Sequence, residues 1–303
     1  MDTKRPHYVW RKLASAKWED AWAERLASFS DRLAISGLPG AKTLRLEVFQ
    51  LGKTDAEKLR RMFGGTVALQ KKWSPQTAAK PRPPIRVRGK LVIVSSERER
   101  SDAGKVPALL IPAGMAFGTG EHATTATCLR LLADVAHELA GEKWDALDLG
   151  CGSGILAIAA RMFGARRADA ADFDPHAVRT AKENVRANGV SGVAVKKLDV
   201  RAWQPARTWT VVTANLFSGL LIEVAPKIAA ATTPGGSLIL SGVLRTQEAE
   251  VIAAYRRAGF RIERIVRKGK WIAALMAPQF HGSPRVTSSS RATRGPVFAR
   301  RIF

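Results

Sequence analysis

Residues Ala146–Ala160 read ALDLGCGSGILAIAA, and the rest of the chain is best understood outward from them. Ala146, Leu147 and Leu149 form a short apolar run of the kind that a parallel sheet buries on both faces. Asp148 sits at the carboxyl end of that run, and Gly150, Gly152 and Gly154 follow at every second position. Ile155, Leu156, Ile158 and Ala159 then recur at helical spacing. The pattern predicts a strand, a glycine turn and a helix. Glycine lets backbone approach a ligand closely. The helix start aims unpaired N–H groups at the same point. A small molecule is expected there.

The spacing narrows its chemistry. A dinucleotide turn reads Gly-x-Gly-x-x-Gly, and here the glycines run Gly-x-Gly-x-Gly, with Ile155 after Gly154. The acid directly before the turn, Asp148, would repel a pyrophosphate and suits a ligand with an ammonium group. S-adenosyl-L-methionine carries one at its methionine end. Further on, the segment ADAADFDP places Asp172 at the end of a second predicted strand. A carboxylate at that position accepts hydrogen bonds from ribose hydroxyls in nucleoside-binding α/β sheets.

Composition sets the outer limits. The chain has 303 residues, enough for one large or two ordinary domains. No apolar run is long enough to span a membrane, and the start, MDTKRPHYVWRKL, lacks the apolar segment of a signal peptide. Cys128 and Cys151 are the only cysteines, which excludes a disulfide framework and gives no zinc spacing. A cytoplasmic protein without a metal site is expected. The net charge of +23 generates a field that attracts anionic partners and allows non-specific contact with rRNA. No RNA-recognition signature accompanies it.

In chain order, residues 1–72 predict a β-α-β-β-α-β module: a strand at Tyr8–Leu13, a helix from Ser15 to about Ser28 and a short strand at Leu33–Ser36. A strand at Thr43–Gln50, a helix Asp55–Phe63 capped by Thr54, and a last strand at Thr66–Gln70 complete it. That order is ferredoxin-like. Residues 73–106 are expected to link and bridge, with a Lys/Pro-rich stretch before strands at Arg86–Ser95 and Val106–Ile111 that pair as a hairpin. Residues 107–279 alternate strands (145–149, 168–172, 193–197, 209–214, 236–241) with helices (122–140, 154–163, 175–188, 218–231, 245–258). The strands at 260–267 and 270–276 are separated by so few residues that they must pair antiparallel. The fold class is therefore α/β: a seven-stranded, doubly wound Rossmann-like sheet beside a smaller α+β domain. Residues 280–303 carry Ser, Arg, Gly and Pro without an acid and predict a disordered basic tail.

Three further segments complete the picture. AGMAFGTGEHATTATCL (113–129), DFDPHAVRTAKENVRANG (172–189) and TANLFSGLLIEVAPKI (213–228), together with DLGCGSGILAIAA, resemble the ribosomal protein L-eleven (L11) methyltransferase family. The resemblance implies S-adenosyl-L-methionine-dependent methylation of lysine and N-terminal amines of that ribosomal protein, by a monomer whose first domain recognises the substrate. It assigns cofactor contacts to Thr125, Gly150, Asp172 and Asn215, alongside Asp148, Gly152 and Gly154 of the turn. Asp199, after the third strand of the large domain, is expected near the adenine amino group, as an acid is in many methyltransferases. Asn215 is expected to face the acceptor, and His122 is read either as a base or as a helix-start residue tied to backbone. The Phe117–His122 loop is expected to cover the cofactor, with Gly118 and Gly120 letting it open and close. The chain departs from the family in having Leu-Phe after Asn215, where Ile-Leu is commoner, and in its Pro/Lys-rich connecting segment. Two other readings stand beside this one: a methyltransferase of another protein or small amine, and a basic RNA-binding module with a degenerate cofactor site.

Overall fold

The computed structural model describes residues 6–18, 21–22, 25–26, 29, 33–36, 42–70, 84–112 and 118–279. Within them lie three sheets. The first is built from β1 (Tyr8–Ser15), β2 (Leu33–Ser36), β3 (Thr43–Leu51) and β4 (Thr66–Leu69), in the order β2-β3-β1-β4 with every pair antiparallel. That is the strand order of a ferredoxin-like sheet. Alternation in β3 turns Leu44, Leu46 and Val48 inward. Leu46 and Val48 meet Trp10, whose indole N–H donates to the Gly64 carbonyl at 2.8 Å. Helix α1 (Lys53–Phe63) lays Ala56 and Leu59 on the same core. Its start corrects the sequence expectation: Thr54 is not the cap. Gly52, in extended conformation, accepts the first helical bond from Ala56, so the helix begins before Thr54. Of the helix expected over Ser15–Ser28, a 3-10 turn at Ala16–Trp18 is described, and much of the remainder lies outside the described residues.

A small sheet of β5 (Ile85–Val87), β6 (Leu91–Val94) and β7 (Ala108–Leu110) follows. The single strand expected over Arg86–Ser95 is two. Arg88 and Gly89 both take positive φ (50° and 67°), and Lys90 N–H donates to Val87 O at 2.9 Å. Two consecutive positive φ values form the tight turn that matches strand twist. Nor does the expected hairpin with the next strand form. Helix α2 (Glu97–Ser101) reverses the path, so β7 pairs with β6 in parallel. The linker at 71–83 and the tail at 280–303 lie outside the described residues.

The largest sheet has the order β10-β9-β8-β11-β12-β14-β13, from β8 (Asp145–Leu149), β9 (Arg167–Asp172), β10 (Val193–Lys197), β11 (Trp209–Asn215), β12 (Thr232–Leu244), β13 (Phe260–Lys268) and β14 (Trp271–Pro278). Five strands run parallel, and β14 is antiparallel to both β12 and β13, as the short connection requires. Helices α3 (Ala123–Glu138), α4 (Ile155–Met162), α5 (Pro175–Ala187), α6 (Ser218–Ala231) and α7 (Glu248–Arg257) accompany it. The core divides into two apolar layers, one joining α3 and α4 to the sheet and the other joining α6 and α7 to it. This is the seven-stranded doubly wound sheet expected from the sequence.

At the amino ends of the central strands an ion-pair network holds the frame. Arg166 and Arg207 both reach Asp145, Arg207 also reaches Asp169, and the Trp209 indole donates to Asp169 at 2.8 Å. These arginines hold the Asp145 carboxyl below its ordinary pKa. The opposite, carboxyl, ends of the same strands are left for chemistry. In open α/β sheets ligands bind at that end, where the strand order reverses. Here that point lies between β8 and β11.

Candidate functional site

At the carboxyl end of β8 the chain turns through Gly150, Gly152 and Gly154, all at positive φ. Two backbone bonds from Gly150 and Cys151 to Ala171 O tie the turn to β9. Asp172 secures it: one carboxylate oxygen accepts the Gly152 N–H at 2.9 Å and the other the Asp174 N–H at 3.0 Å. Each oxygen accepts up to two bonds, so lone pairs remain for two hydroxyls. Burial raises the Asp172 pKa, while these N–H donors oppose the shift. Asp174 then caps α5 through the His176 N–H, with Pro175 opening the helix.

The space beside two of the glycines belongs to the protein rather than to a ligand, which corrects the reason first given for them. A Cβ on Gly150 would stand 2.3 Å from Leu216 Cδ2, and one on Gly154 would stand 3.0 Å from the Cβ of Ala181. Gly154 lets α4 approach α5. Gly150 admits Leu216.

Asp148 lies beneath the turn at 2% exposure. Its Oδ1 accepts from the Thr213 hydroxyl at 2.6 Å, whereas Oδ2 is buried without a hydrogen-bond partner. Desolvation pushes its pKa up to about 7, with the Asp172 charge adding to the rise; the Thr213 hydroxyl and the Ala157 amide of α4 act the other way. Such a carboxyl responds strongly to a nearby cation. The same environment pushes the buried Cys128 thiol up to about 12 and raises that of Cys151 further, so neither is an activated nucleophile.

Asn215 closes β11. Its side-chain N–H group donates to the hydroxyls of Thr124 at 3.3 Å and Thr125 at 3.5 Å, so the end of β11 and the start of α3 meet. The first bond within α3 runs from Ala126 to His122 O, leaving the amides of Ala123, Thr124 and Thr125 to face outward along the helix axis. A carboxylate is the natural ligand for that end. His122 touches Thr124 Oγ1 through Nδ1 at 2.7 Å and meets the Trp271 ring edge-on at 5.1 Å. Both contacts hold the ring at the start of α3. Asp199 reaches the same end of the sheet, where Leu198 N–H donates to Asp172 O. Its side chain accepts the Arg201 N–H at 2.9 Å and forms a local turn.

Of the Phe117–His122 loop, residues 118–122 are described, and 113–117 lie outside. The described part makes contact with its surroundings. Ser153 donates to Gly118 O at 2.6 Å, and a Cβ on Gly120 would rest on Ile155, Ile85 and Ile93. Gly118 thus bonds to the turn, and Gly120 packs where α4 meets the small sheet.

Several contributors escaped the sequence reading. Thr124 stands beside Thr125 in the phrase already singled out, and Thr213 lies two positions before Asn215, so both were within reach. Leu216 and Gly242 gave no local signal. Leu216 N–H donates to Ser241 O at 3.2 Å, and a Cβ on Gly242, itself at φ 83°, would stand 2.3 Å from Leu216 O. Gly242→Ala should therefore destabilise the protein by about 2–4 kcal/mol, combining strained φ with a backbone clash that no rotamer relieves. Urea unfolding monitored by tryptophan fluorescence checks this, as a lower midpoint at unchanged slope.

The cradle combines two acids, a helix start and a threonine pair. Asp172 offers acceptors suited to ribose hydroxyls and the α3 start offers donors suited to a carboxylate, while the Asp148 carboxyl lies buried beneath the turn. Comparison with known proteins points the same way. The family model described as ribosomal protein L11 methyltransferase (PrmA) matches residues 28–278. A ribosomal protein L11 methyltransferase of Azotobacter vinelandii is 43% identical over 189 residues, 62% of each chain. One of Rhizobium etli is 42% identical over 193 residues, covering 62% of this chain and 65% of the relative. The aligned part thus spans less than two thirds of these relatives. Among solved structures, the ribosomal protein L11 methylase of Lactobacillus delbrueckii subsp. bulgaricus superposes with a TM-score of 0.57 at 27% identity, over 65% of this chain and 99% of that one. With a family model covering most of its length and this cradle at the carboxyl end of the sheet, the chain belongs to the ribosomal protein L11 methyltransferase family.

Proposed function

We propose that this protein methylates amine nitrogens of ribosomal protein L11, lysine side chains and the N-terminal amine, using S-adenosyl-L-methionine. The observation that carries the reading is the junction of Asn215 with Thr124 and Thr125, beside the turn anchored by Asp172. When bound, the cofactor supplies a methyl group on a positively charged sulfur. The chain's own residues do the rest. Asp172 holds the ribose, Gly150, Gly152 and Gly154 shape the turn, and the α3 amides with Thr125 hold the carboxylate.

Asn215 directs its amide N–H toward the threonines, which leaves its carbonyl oxygen to orient the incoming amine. A lysine is protonated at neutral pH, with a pKa of about 10.4 in water. Burial and the positive field of the chain favour the neutral amine whose lone pair attacks. Catalysis is then mainly positioning. His122, bonded to Thr124, orients that hydroxyl rather than acting as a base. Asp199 lies close enough to β9 to border the adenine.

On this reading residues 1–72 recognise the ribosomal protein, 73–106 connect, and 107–279 bind the cofactor. The protein works as a monomer in the cytoplasm, with its basic surface near rRNA. Among the described residues no helix is long and apolar enough to cross a membrane. The test is methyl transfer from labelled cofactor to free L11 and to undermethylated ribosomes, with mass spectrometry locating the label. Label on L11 amines is expected. Cofactor binding with no label on L11 would remove the substrate assignment, and no cofactor binding would leave the RNA-binding reading.

A further inference from the structure

Two large aromatic side chains stand out from the surface at the carboxyl end of the sheet: Phe173, directly after Asp172, and Phe217, two residues after Asn215. Phe217 is 72% exposed. That exposure does not come from a loose loop. Leu216 is wedged between Gly150 and Gly242, each of which lacks room for a Cβ. On the other side Phe217 O accepts the Leu221 N–H at 3.0 Å, which fixes the start of α6. The backbone therefore presents the ring from a rigid frame, beside the residue that faces the acceptor. The other exposed ring, Phe173 just after β9, displays what such a ring attracts: Lys197 places its ammonium 5.9 Å from the centre of the Phe173 ring. Among the described residues no Lys or Arg stands over Phe217.

Resting on the reading above, we propose that Phe217 is the specificity-determining face on which the acceptor's alkylammonium group is received, and on which the methylated cation is retained between transfers. The chemistry is consistent at each step. An amine arrives protonated, and an aromatic face attracts a cation that this strongly basic chain would otherwise repel. Each added methyl group leaves a cation that is larger and less hydrated, the kind of group aromatic faces bind well. The ammonium gives its proton to solvent water before Asn215 receives the neutral nitrogen, and the methylammonium product loses a proton to water in the same way before the next transfer, so that arrival and attack use different side chains. Leucine keeps the bulk of Phe217 but lacks the π face, which separates this role from simple packing.

The test compares wild type with Phe217→Leu and Phe217→Tyr, using ribosomal protein L11 as acceptor. Its readouts are KM and kcat for L11, cofactor affinity by calorimetry, and the number of methyl groups per amine by mass spectrometry. Phe217→Leu should raise KM for L11 about five- to tenfold with kcat within about twofold. It should also shift the product toward mono- and dimethylated amines, while cofactor affinity stays unchanged. Phe217→Tyr should behave as wild type. Unchanged KM and methyl count in Phe217→Leu would overturn the assignment, as would a loss confined to kcat or cofactor affinity, which would mean a role in the frame. Failure of wild type to label L11 would overturn the functional reading and this inference with it, and the wild-type control distinguishes that case.

Discussion

Asp172→Ala should abolish methyl transfer while leaving the sheet intact, and cofactor affinity should fall on the order of a hundredfold or more. The size follows from what the carboxylate does. It is half-buried at the end of β9, and it accepts the Gly152 and Asp174 amides with one oxygen each. Hydrogen bonds to a charged group contribute roughly 1.5–3 kcal/mol. Losing two to the ribose alone therefore weakens binding by about two to four powers of ten. Truncation also leaves the Gly152 N–H without its acceptor, so the turn under the methionine end loses its tie to β9. Asp172→Asn keeps an acceptor for one amide and should fall between the two. Calorimetric titration with S-adenosylhomocysteine reads affinity directly, and circular dichroism establishes that the fold persists. Near-wild-type affinity in Asp172→Ala would remove the ribose assignment, and with it the main link between the turn and this class of ligand.

How much of this could be seen in the sequence depends on whether a feature is local. The strands β8, β9 and β11 are short apolar runs followed by glycine or polar residues, and their elements lie within a residue or two of where periodicity places them. Helix α5 announces itself through Asp174-Pro175, because a cap and a first-turn proline are chemical signals in adjacent positions. The placement of the candidate acids was legible for the same reason. Asp148, Asp172 and Asp199 lie at or within two residues of a strand's carboxyl end, and such ends converge in a doubly wound sheet.

What escaped was decided by contacts between distant segments. Nothing around Arg88-Gly89 distinguishes a bend within one strand from a tight turn between two; the small sheet forms because β6 finds β7 after α2 reverses the chain. Asn188 illustrates the same limit. Its buried amide both accepts from Leu110 N–H and donates to Leu110 O, satisfying the end of β7 from the end of α5. Gly242 and Leu216 belong together only because β11 and β12 are neighbours, and Gly150 joins them from β8. The glycine turn was recognised correctly as a motif, yet two of its glycines make room for Leu216 and Ala181. A sequence motif records that backbone must come close to something, without saying whether that something is ligand or protein.

Asp148 gives the second large effect, and its sign differs between stability and binding. Its pKa in the folded protein is about 7, above the ordinary 3.8. Between those values the native state holds a proton that the unfolded chain has lost, so the native state binds more protons. Stability of the cofactor-free protein should therefore be greatest below about pH 4 with respect to this group, and should fall as pH rises through about 7. The contribution is on the order of a few kcal/mol. The half-buried Asp172, whose pKa is also raised, acts in the same direction. Cofactor binding should run the opposite way. A positive ammonium brought near the turn favours the ionised carboxylate even without touching Oδ2, because the charge acts through a buried, low-dielectric path. Affinity should thus fall as pH drops below 7, approaching tenfold per unit, and binding there should release about one proton. Calorimetry of S-adenosylhomocysteine in buffers of different ionisation enthalpy measures that proton, and urea midpoints across pH 5–8 measure the stability slope. Asp148→Asn keeps the shape and the Thr213 contact but cannot titrate. It should flatten the part of both slopes that belongs to Asp148, and it should bind more weakly above pH 7, where wild type has the full charge. Slopes that survive unchanged in Asp148→Asn would assign the titration to Asp172 instead, and Asp148 would then be a carboxyl that supports α4 and the turn.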